Sequence, residues 1–221
     1  MKKVLLLLAL LPLAASAQNQ PEYRLEIGAA AGLMTYIGDL NGNITSGTKP
    51  AGSLVARYKP NPRTALALNV SYGRIKGNAR NAATFMSTEL TNYKFEHGVM
   101  DIGLRYEMNF WPFGTGQEYR GAKRLTPYIF AGLGVTICQP DKTELGMNVP
   151  IGGGVKYKAA DRVNVMAEWA MHITGNDRLD GLKDPYGISS SGLFKNTDCY
   201  TLLRVGVTYD MWAKCKTCHK E

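Results

Sequence analysis

The strongest constraint on this chain is an alternation of apolar and polar residues with a period of two. In residues 101–110, aliphatic and aromatic side chains occupy the even positions, whereas Asp101, Arg105 and Glu107 occupy odd ones. Successive side chains of a β-strand point to opposite faces, so the pattern is typical of strands with one apolar face. Seven more segments repeat it, centred on residues 23–32, 53–58, 65–72, 128–137, 149–158, 163–172 and 203–211. The sequence therefore predicts an all-β fold with eight strands.

The connections between these segments are of two kinds. The links near Lys59–Arg63 and Ala159–Arg162 are short, and long polar links lie near Asn41–Pro50, Ala79–Glu96 and Gly175–Asp198. Bacterial outer-membrane barrels have short periplasmic turns and longer outer loops. The pattern predicts an eight-stranded antiparallel up-and-down transmembrane β-barrel over residues 18–212, with both termini in the periplasm.

Alternation alone also fits a soluble lipocalin-like barrel, in which the apolar face would be buried in the interior and the charged face would be exposed to water. Three features favour a membrane. The segments reach the ~9–11 residues of a spanning strand, and the apolar faces carry no charge along their middles, where Arg or Lys facing lipid costs ~2–4 kcal/mol. Aromatic residues also gather near segment ends, as an interfacial girdle requires: Tyr23, Tyr58, Trp111, Tyr128, Tyr157 and Trp212.

Residues 1–17 have the pattern of a secretory signal peptide. Lys2 and Lys3 precede an apolar stretch, Val4–Leu13, and a small-residue cleavage motif at residues 15–17. After residue 17 no apolar run approaches the ~20 residues of a membrane-spanning helix. Export combined with the barrel pattern predicts the outer membrane of a Gram-negative cell as the location, with outer-membrane lipid as the surroundings.

The predicted inward faces carry charges of both signs. An eight-stranded barrel is just wide enough for side chains to fill, and unpaired buried charge is very costly. We therefore expect a lumen plugged by ion pairs, without a general pore. The predicted network consists of Arg24, Glu26, Arg57, Asp101, Arg105, Glu107, Lys156, Glu168, Arg204 and Asp210.

Little in the sequence indicates an enzyme. His172 lies on an inward face four residues after Glu168, and such a pair could transfer protons in a lipid-modifying enzyme. The alternative, a histidine satisfied within the charged lumen, is simpler, and no nucleophile elbow, phosphate loop or zinc helix is present. The formal charge of +8 is spread over loops and the C-terminal end. We therefore predict a non-enzymatic protein without a small-molecule substrate or a nucleic-acid partner.

Four cysteines fall in two pairs. Cys215 and Cys218 lie in a predicted periplasmic tail, residues 213–221, and with His219 they match the spacing of haem attachment. Nine polar residues cannot build a haem pocket, so we expect no cofactor; a zinc site shared with a partner stays open. Disulfide pairing, within the tail or to another protein, suits an oxidising compartment. Cys138 and Cys199 end and begin strands at the outer mouth, where a disulfide between them or two separate thiols are the alternatives.

Several segments resemble the PorG family of the Bacteroidetes type IX secretion system. They are residues 23–28 (YRLEIG), 35–41 (TYIGDLN) and 99–107 (VMDIGLRYE), together with the cysteine-bearing tail. The resemblance implies an outer-membrane barrel that accompanies the periplasmic ring built by PorK and PorN, in a machine for protein secretion and gliding motility. It implies no catalytic residues. In that setting we expect Cys215 or Cys218 to tether the barrel to a ring subunit.

Two functions follow from these observations. The first is a structural barrel that anchors the periplasmic ring of a secretion machine. The alternative is a small outer-membrane barrel that acts as an adhesin or an envelope-stability protein through its outer loops. The first needs the tail and the periplasmic turns, whereas the second needs the long loops.

Overall fold

A computed structural model of the protein describes residues 23–38, 46–78, 94–115, 122–139, 144–175 and 198–213. Its strands are β1 (Tyr23–Ile37), β2 (Lys49–Asn61), β3 (Thr64–Asn78), β4 (Lys94–Asn109), β5 (Leu125–Gln139), β6 (Glu144–Lys158), β7 (Val163–Thr174) and β8 (Cys199–Ala213). No helix in these ranges has the length and apolar character to cross a membrane. The predicted signal peptide, and the predicted tail beyond Ala213 with Cys215 and Cys218, lie outside the described residues.

The eight strands close into one antiparallel barrel in sequence order. Each strand pairs with its neighbours in the chain, and β1 also pairs with β8, where Ala29 lies opposite Val207. Closure leaves no unpaired strand edge, so every strand has a partner on both sides. The prediction of an eight-stranded antiparallel up-and-down barrel is therefore confirmed.

The links define two ends of the barrel. The end that carries the β2–β3, β4–β5 and β6–β7 links is called the turn end, and the opposite end the loop end. At the turn end, β2 and β3 are joined by only Pro62 and Arg63. The side-chain oxygen of Asn61 accepts hydrogen bonds of 2.8 Å from the backbone N–H groups of Arg63 and Thr64. This use of an asparagine side chain to complete a tight turn explains why so short a link is stable.

The β4–β5 link folds back over the turn end. The backbone N–H of Phe113 donates to the carbonyl of Pro62 at 3.0 Å, and Phe113 pairs with Lys123 in an isolated bridge. The ammonium of Lys123 lies 4.5 Å from the centre of the Trp111 ring, a cation–π contact. Phe113 is buried as a result. The link covers part of the turn-end mouth.

The outer surface of the wall is apolar. Five aliphatic side chains from five strands are between 48% and 64% exposed: Leu54, Leu68, Leu104, Leu133 and Val205. Outward aromatic side chains collect near the turn end, where they form part of the expected girdle: Tyr58, Phe110, Trp111, Tyr157, Tyr209 and Trp212. The prediction was wrong for Tyr23 and Tyr128, because both are buried, and their rings lie against the ammonium groups of Lys158 and Lys156, respectively.

Candidate functional site

The interior of the barrel is a charged lumen, and nearly all of its predicted members lie inside. Nine of the ten residues have an exposed fraction of 2% or less: Glu26, Arg57, Asp101, Arg105, Glu107, Lys156, Glu168, Arg204 and Asp210. They come from six of the eight strands, all but β3 and β5. Period-two alternation places them there, because the opposite face of each strand is apolar and faces outward.

Arg57 is the centre of the network. Its guanidinium lies 2.7 Å from the carboxylate of Glu26 through Nη1 and 2.9 Å from that of Glu107 through Nε. Its Nη2 lies 3.8 Å from an oxygen of Glu168. The side chain has no solvent exposure, so the three carboxylates replace the water that the cation would otherwise bind.

Glu168 and Glu107 each bind several cations. Arg105 and Arg204 both contact one oxygen of Glu168 at 2.6 Å, and the hydroxyl of Tyr128 donates to the other at 2.5 Å. Lys156 lies 2.6 Å from Glu107, and Arg105 also reaches it at 3.1 Å. Such shared, charge-assisted contacts link the strands through one continuous network.

A glycine provides room for part of this network. A Cβ atom at Gly152 would lie 2.6 Å from the ring of Phe130 and 2.2 Å from the backbone oxygen of Trp169. The missing side chain lets the Phe130 ring approach the wall. The guanidinium of Arg105 then lies 4.1 Å from the centre of that ring, which is a favourable cation–π distance.

A second group of charges lies at the turn end of the lumen. Asp210 pairs with Lys158 at 2.7 Å and forms a short hydrogen bond with Lys59. Lys59 also lies 3.3 Å from Glu26, which connects this group to Arg57. Phe113 and Tyr23 line the same small space beside Asp210, so the buried charges sit beneath an aromatic cover.

A third group lies at the loop end of the lumen. Tyr200 donates to Asp101 at 2.9 Å, and Asn148 also donates to this carboxylate. The Nδ1 atom of His172 lies 3.1 Å from the Tyr200 hydroxyl, and the two rings stack with centres 4.5 Å apart. Asp101 is therefore held by neutral donors and by His172, rather than by the arginines of the central network.

The structure separates the residues of the candidate proton-transfer pair. His172 contacts Asp101 and Tyr200, whereas Glu168 binds Arg105, Arg204 and Tyr128. The arrangement thus fits a histidine satisfied within the polar lumen, and the described contacts assign no proton transfer to it.

Arg24 is the member of the predicted network that the structure does not place in it. The side chain is half-exposed, and it forms no ion pair with any described residue. The residues next to it explain the difference, because buried Tyr23 turns towards Lys158 and Arg162 instead of facing outward. The strict alternation of inward and outward residues therefore breaks at the first residues of β1.

The candidate disulfide between Cys138 and Cys199 is not formed. Cys138 is fully buried and shares the inward face of β5 with Phe130 and Thr136. Cys199 is half-exposed and shares the outward face of β8 with Leu203. β6 and β7 also lie between their strands. Of the two alternatives, the structure therefore shows two separate thiols, because the side chains lie on opposite sides of the wall.

The prediction missed several residues of the network, among them Lys59, Lys158, Tyr128 and Tyr200. Lys158 shares the inward face with Lys156, so the alternation itself was the available signal. Lys59 has the same parity as Arg57, but the predicted strand ended at Tyr58, whereas β2 continues to Asn61. The tyrosines carried no signal in the sequence, because an inward tyrosine can fill space without binding a carboxylate.

The fold and the lumen define a class of protein, namely a small closed antiparallel barrel that is apolar outside and ion-paired inside. The chain belongs to the family described as a domain of unknown function, DUF6089, whose model matches residues 2–220. No curated protein sequence shows significant similarity to it.

Solved structures of small outer-membrane barrels are similar to this fold. Neisserial surface protein A is 16% identical, with a TM-score of 0.53, covering 85% of this chain and 97% of that one. OprG of Pseudomonas aeruginosa is 10% identical, with a TM-score of 0.49 and coverages of 89% and 99%. Ail, the attachment invasion locus protein of Yersinia pestis, is 12% identical, with a TM-score of 0.45 and coverages of 87% and 99%. The similarity to the Neisserial protein supports the fold.

Proposed function

We propose that this chain is a non-enzymatic outer-membrane β-barrel whose lumen is closed by ion pairs. The observation that carries the proposal is the distribution of polarity, with exposed Leu, Ile and Val outside and buried Arg, Lys, Glu and Asp inside. In water, so much exposed aliphatic surface would drive association. In a bilayer, the same surface contacts hydrocarbon while the backbone groups are satisfied between strands.

The finer proposal is that the barrel anchors the periplasmic ring of a type IX secretion machine, with PorK-like and PorN-like subunits as partners. The resemblance of residues 23–28, 35–41 and 99–107 to the PorG family supports it. In the proposed orientation the turn end and both termini face the periplasm. The exposed basic residues of the turn end, Arg63, Lys123, Arg124 and Arg162, outnumber the acidic Asp161 there. This excess of positive charge suits an acidic partner surface.

The tail is the proposed tether, because Cys215 and Cys218 follow directly on the last strand. The test replaces both with serine in cells that carry the secretion machine, with Cys199→Ser as the matched control. Non-reducing gels and pull-down of ring subunits report the association. We expect the double variant to lose a covalent ring adduct and the control to keep it. Ring association that is unchanged in the double variant would overturn the tether.

The alternative, an adhesin or envelope-stability barrel, acts through the long loops, which fall largely outside the described residues. Two deletions separate the two functions. Removal of residues 214–221 should impair secretion of cargo if the barrel anchors the ring, and removal of residues 79–93 should leave secretion intact. The reverse result, with binding to host or matrix molecules lost on loop deletion, would favour the alternative.

A further inference from the structure

An open groove of about 410 Å³ lies on the outside of the barrel wall at the loop end. Its volume is in the range of sites that hold small molecules or parts of lipids, ~300–1,000 Å³. The lining comes from β2, β3 and β4 and consists of Lys49, Pro50, Ala51, Gly52, Tyr72, Gly73, Arg74 and Glu96. None of these residues belongs to the lumen network.

The groove exists because an outward side chain is missing. On β2, Gly52 lies on the outward face between Pro50 and Leu54, and a Cβ atom built there meets nothing within 4 Å. On the neighbouring strand, directly opposite Gly52, Tyr72 is 60% exposed and forms one wall. The floor is therefore backbone and small residues, and the wall is an aromatic ring. Such a surface suits an aliphatic chain.

The rim of the groove is strongly basic. Lys49 lies 2.8 Å from a carboxylate oxygen of Glu96, and Arg74 lies 3.6 Å from the other oxygen. Lys76 and Lys94, next to Glu96 on the paired strands β3 and β4, are also exposed. Four basic side chains thus surround one carboxylate. The excess of positive charge favours an anionic group over the rim.

The groove lies where the wall changes from apolar to charged. Along the outward face of β3, Leu66, Leu68 and Val70 lead to Tyr72, and Arg74 and Lys76 follow. Along β4, Met100 precedes this boundary and Glu96 lies beyond it. A membrane lipid at this height would place its acyl chain against the apolar side and its headgroup against the cations.

We propose that this groove binds lipid A, with one acyl chain over Gly52 beside Tyr72 and its phosphates over Arg74, Lys76, Lys94 and Lys49. Arg and Lys are the side chains that bind phosphate oxygens through charge-assisted hydrogen bonds. Lipid A is chosen over a phospholipid because it offers two phosphates to a rim whose cations come from three strands. The choice rests on the proposed orientation, in which the loop end faces the cell surface, and not on any role in secretion.

Glu96 competes with the lipid for two of these cations. Its carboxylate holds Lys49 and Arg74, and a phosphate must share these cations with it or displace it. Neutralising Glu96 should therefore strengthen binding, whereas removing the cations should weaken it. Opposite effects from neighbouring residues distinguish a phosphate site from a general loss of structure.

The test measures binding of lipid A to the purified full-length barrel in neutral detergent, by native mass spectrometry of bound lipid against lipid concentration. The first variant is Gly52→Leu, whose side chain would fill the groove without a clash, because a Cβ atom there meets nothing within 4 Å. The others are the pair Arg74→Gln with Lys76→Gln, and Glu96→Gln. The matched controls are Ala56→Leu, an outward residue on the same strand, and the pair Arg63→Gln with Arg124→Gln at the turn end. A shift in gel mobility on heating verifies that each variant is folded.

We expect the Arg74/Lys76 pair to weaken binding by about tenfold or more, the loss of roughly one charge-assisted contact. Gly52→Leu should weaken binding by about as much, because its side chain occupies the space of the acyl chain. Glu96→Gln should strengthen binding, and both controls should bind as the parent does. The proposal is overturned if dephosphorylated lipid A or phosphatidylglycerol binds as tightly, or if the controls weaken binding as much as the groove variants. Because only the barrel and lipid are present, failure here leaves the secretion role untouched.

Discussion

Arg57 binds three carboxylates from three other strands, so a single cation compensates much of the negative charge in the centre of the lumen. Glu26, Glu107 and Glu168 lie on β1, β4 and β7, and all three are buried. The desolvation of each charge is offset only while its partners remain in place. Removing one partner should therefore lower the free energy of unfolding by more than the complete ion pair contributes to it.

We expect Arg57→Met to lower the free energy of unfolding by ~3–5 kcal/mol, because it leaves buried carboxylates without their main partner. Urea-induced unfolding of the barrel refolded into lipid vesicles measures the change. The control is Arg63→Met, an exposed residue in a turn, for which we expect a change within about 0.5 kcal/mol. An Arg57→Met barrel as stable as the parent would show that the network contributes little to stability.

The two cysteines of the wall make a second test at this scale. Cys138 is fully buried on the inward face, and Cys199 is half-exposed. With Cys215 and Cys218 replaced by serine, a maleimide should label Cys199 at least roughly tenfold faster than Cys138 in the folded barrel, since accessibility limits thiol reaction. Mass spectrometry after digestion separates the two sites. Equal labelling, or a disulfide between them, would contradict the positions described here.

Alternation predicts the face of a residue but not its partner. It placed Arg57, Glu107 and Glu168 in the lumen, because their neighbours along each strand are apolar. The contact between Arg57 and Glu168 depends on strand order, stagger and side-chain length, none of which a period of two contains. Tyr23 was expected to face outward and Arg24 inward, but Tyr23 is buried and Arg24 is half-exposed. A period of two could not predict this, because the ring of Tyr23 is oriented by a contact with Lys158 across the barrel.

At the scale of strands, closure of the barrel depends on the pairing of β1 with β8. In this register Ala29 lies opposite Val207, and both side chains point outward. Directly opposed residues of antiparallel strands have Cα atoms ~4.5–5.5 Å apart, within the range of a disulfide. This is the pairing on which the whole topology rests.

The register can be tested by a cross-link. In a background without the native cysteines, Ala29→Cys with Val207→Cys should form a disulfide under mild oxidation, detected as a mobility change on non-reducing gels. Ala29→Cys with Val165→Cys is the matched control, because Val165 lies opposite Val207 on the far side of β8. A cross-link in the control, or none in the test pair, would contradict the β1–β8 register.

The links were harder to predict than the strands. Long polar segments indicated loops, one of them predicted at Ala79–Glu96. In the structure β3 continues to Asn78, at the edge of this predicted loop, and β4 begins at Lys94, inside it. Here the residues that face outward, such as Arg74 and Lys94, are charged, and the residues that face inward, such as Ile75 and Phe95, are apolar. The apolar residues thus change face while the strands stay paired. The return of Phe113 over the turn end was also absent from the prediction, because it depends on a backbone contact with Pro62.

At the scale of the whole molecule, one distribution of polarity explains both surfaces of the barrel. The outside needs a solvent of hydrocarbon, and the inside replaces solvent with ion pairs. Trp169 provides a natural probe of this arrangement, since it lies on the outward face near the middle of β7 and is 43% exposed. In a soluble barrel, whose apolar face would be turned inward, Trp169 would instead be buried in the interior.

The most direct test is the fluorescence of Trp169 in a variant that lacks the other two tryptophans, Trp111→Phe with Trp212→Phe, refolded into lipid vesicles. If the apolar wall faces hydrocarbon, lipids brominated near the bilayer centre should quench the emission strongly, and acrylamide in the water should quench it little. Strong quenching by acrylamide without quenching by brominated lipid, in a chain that stays monomeric without detergent, would contradict a membrane barrel.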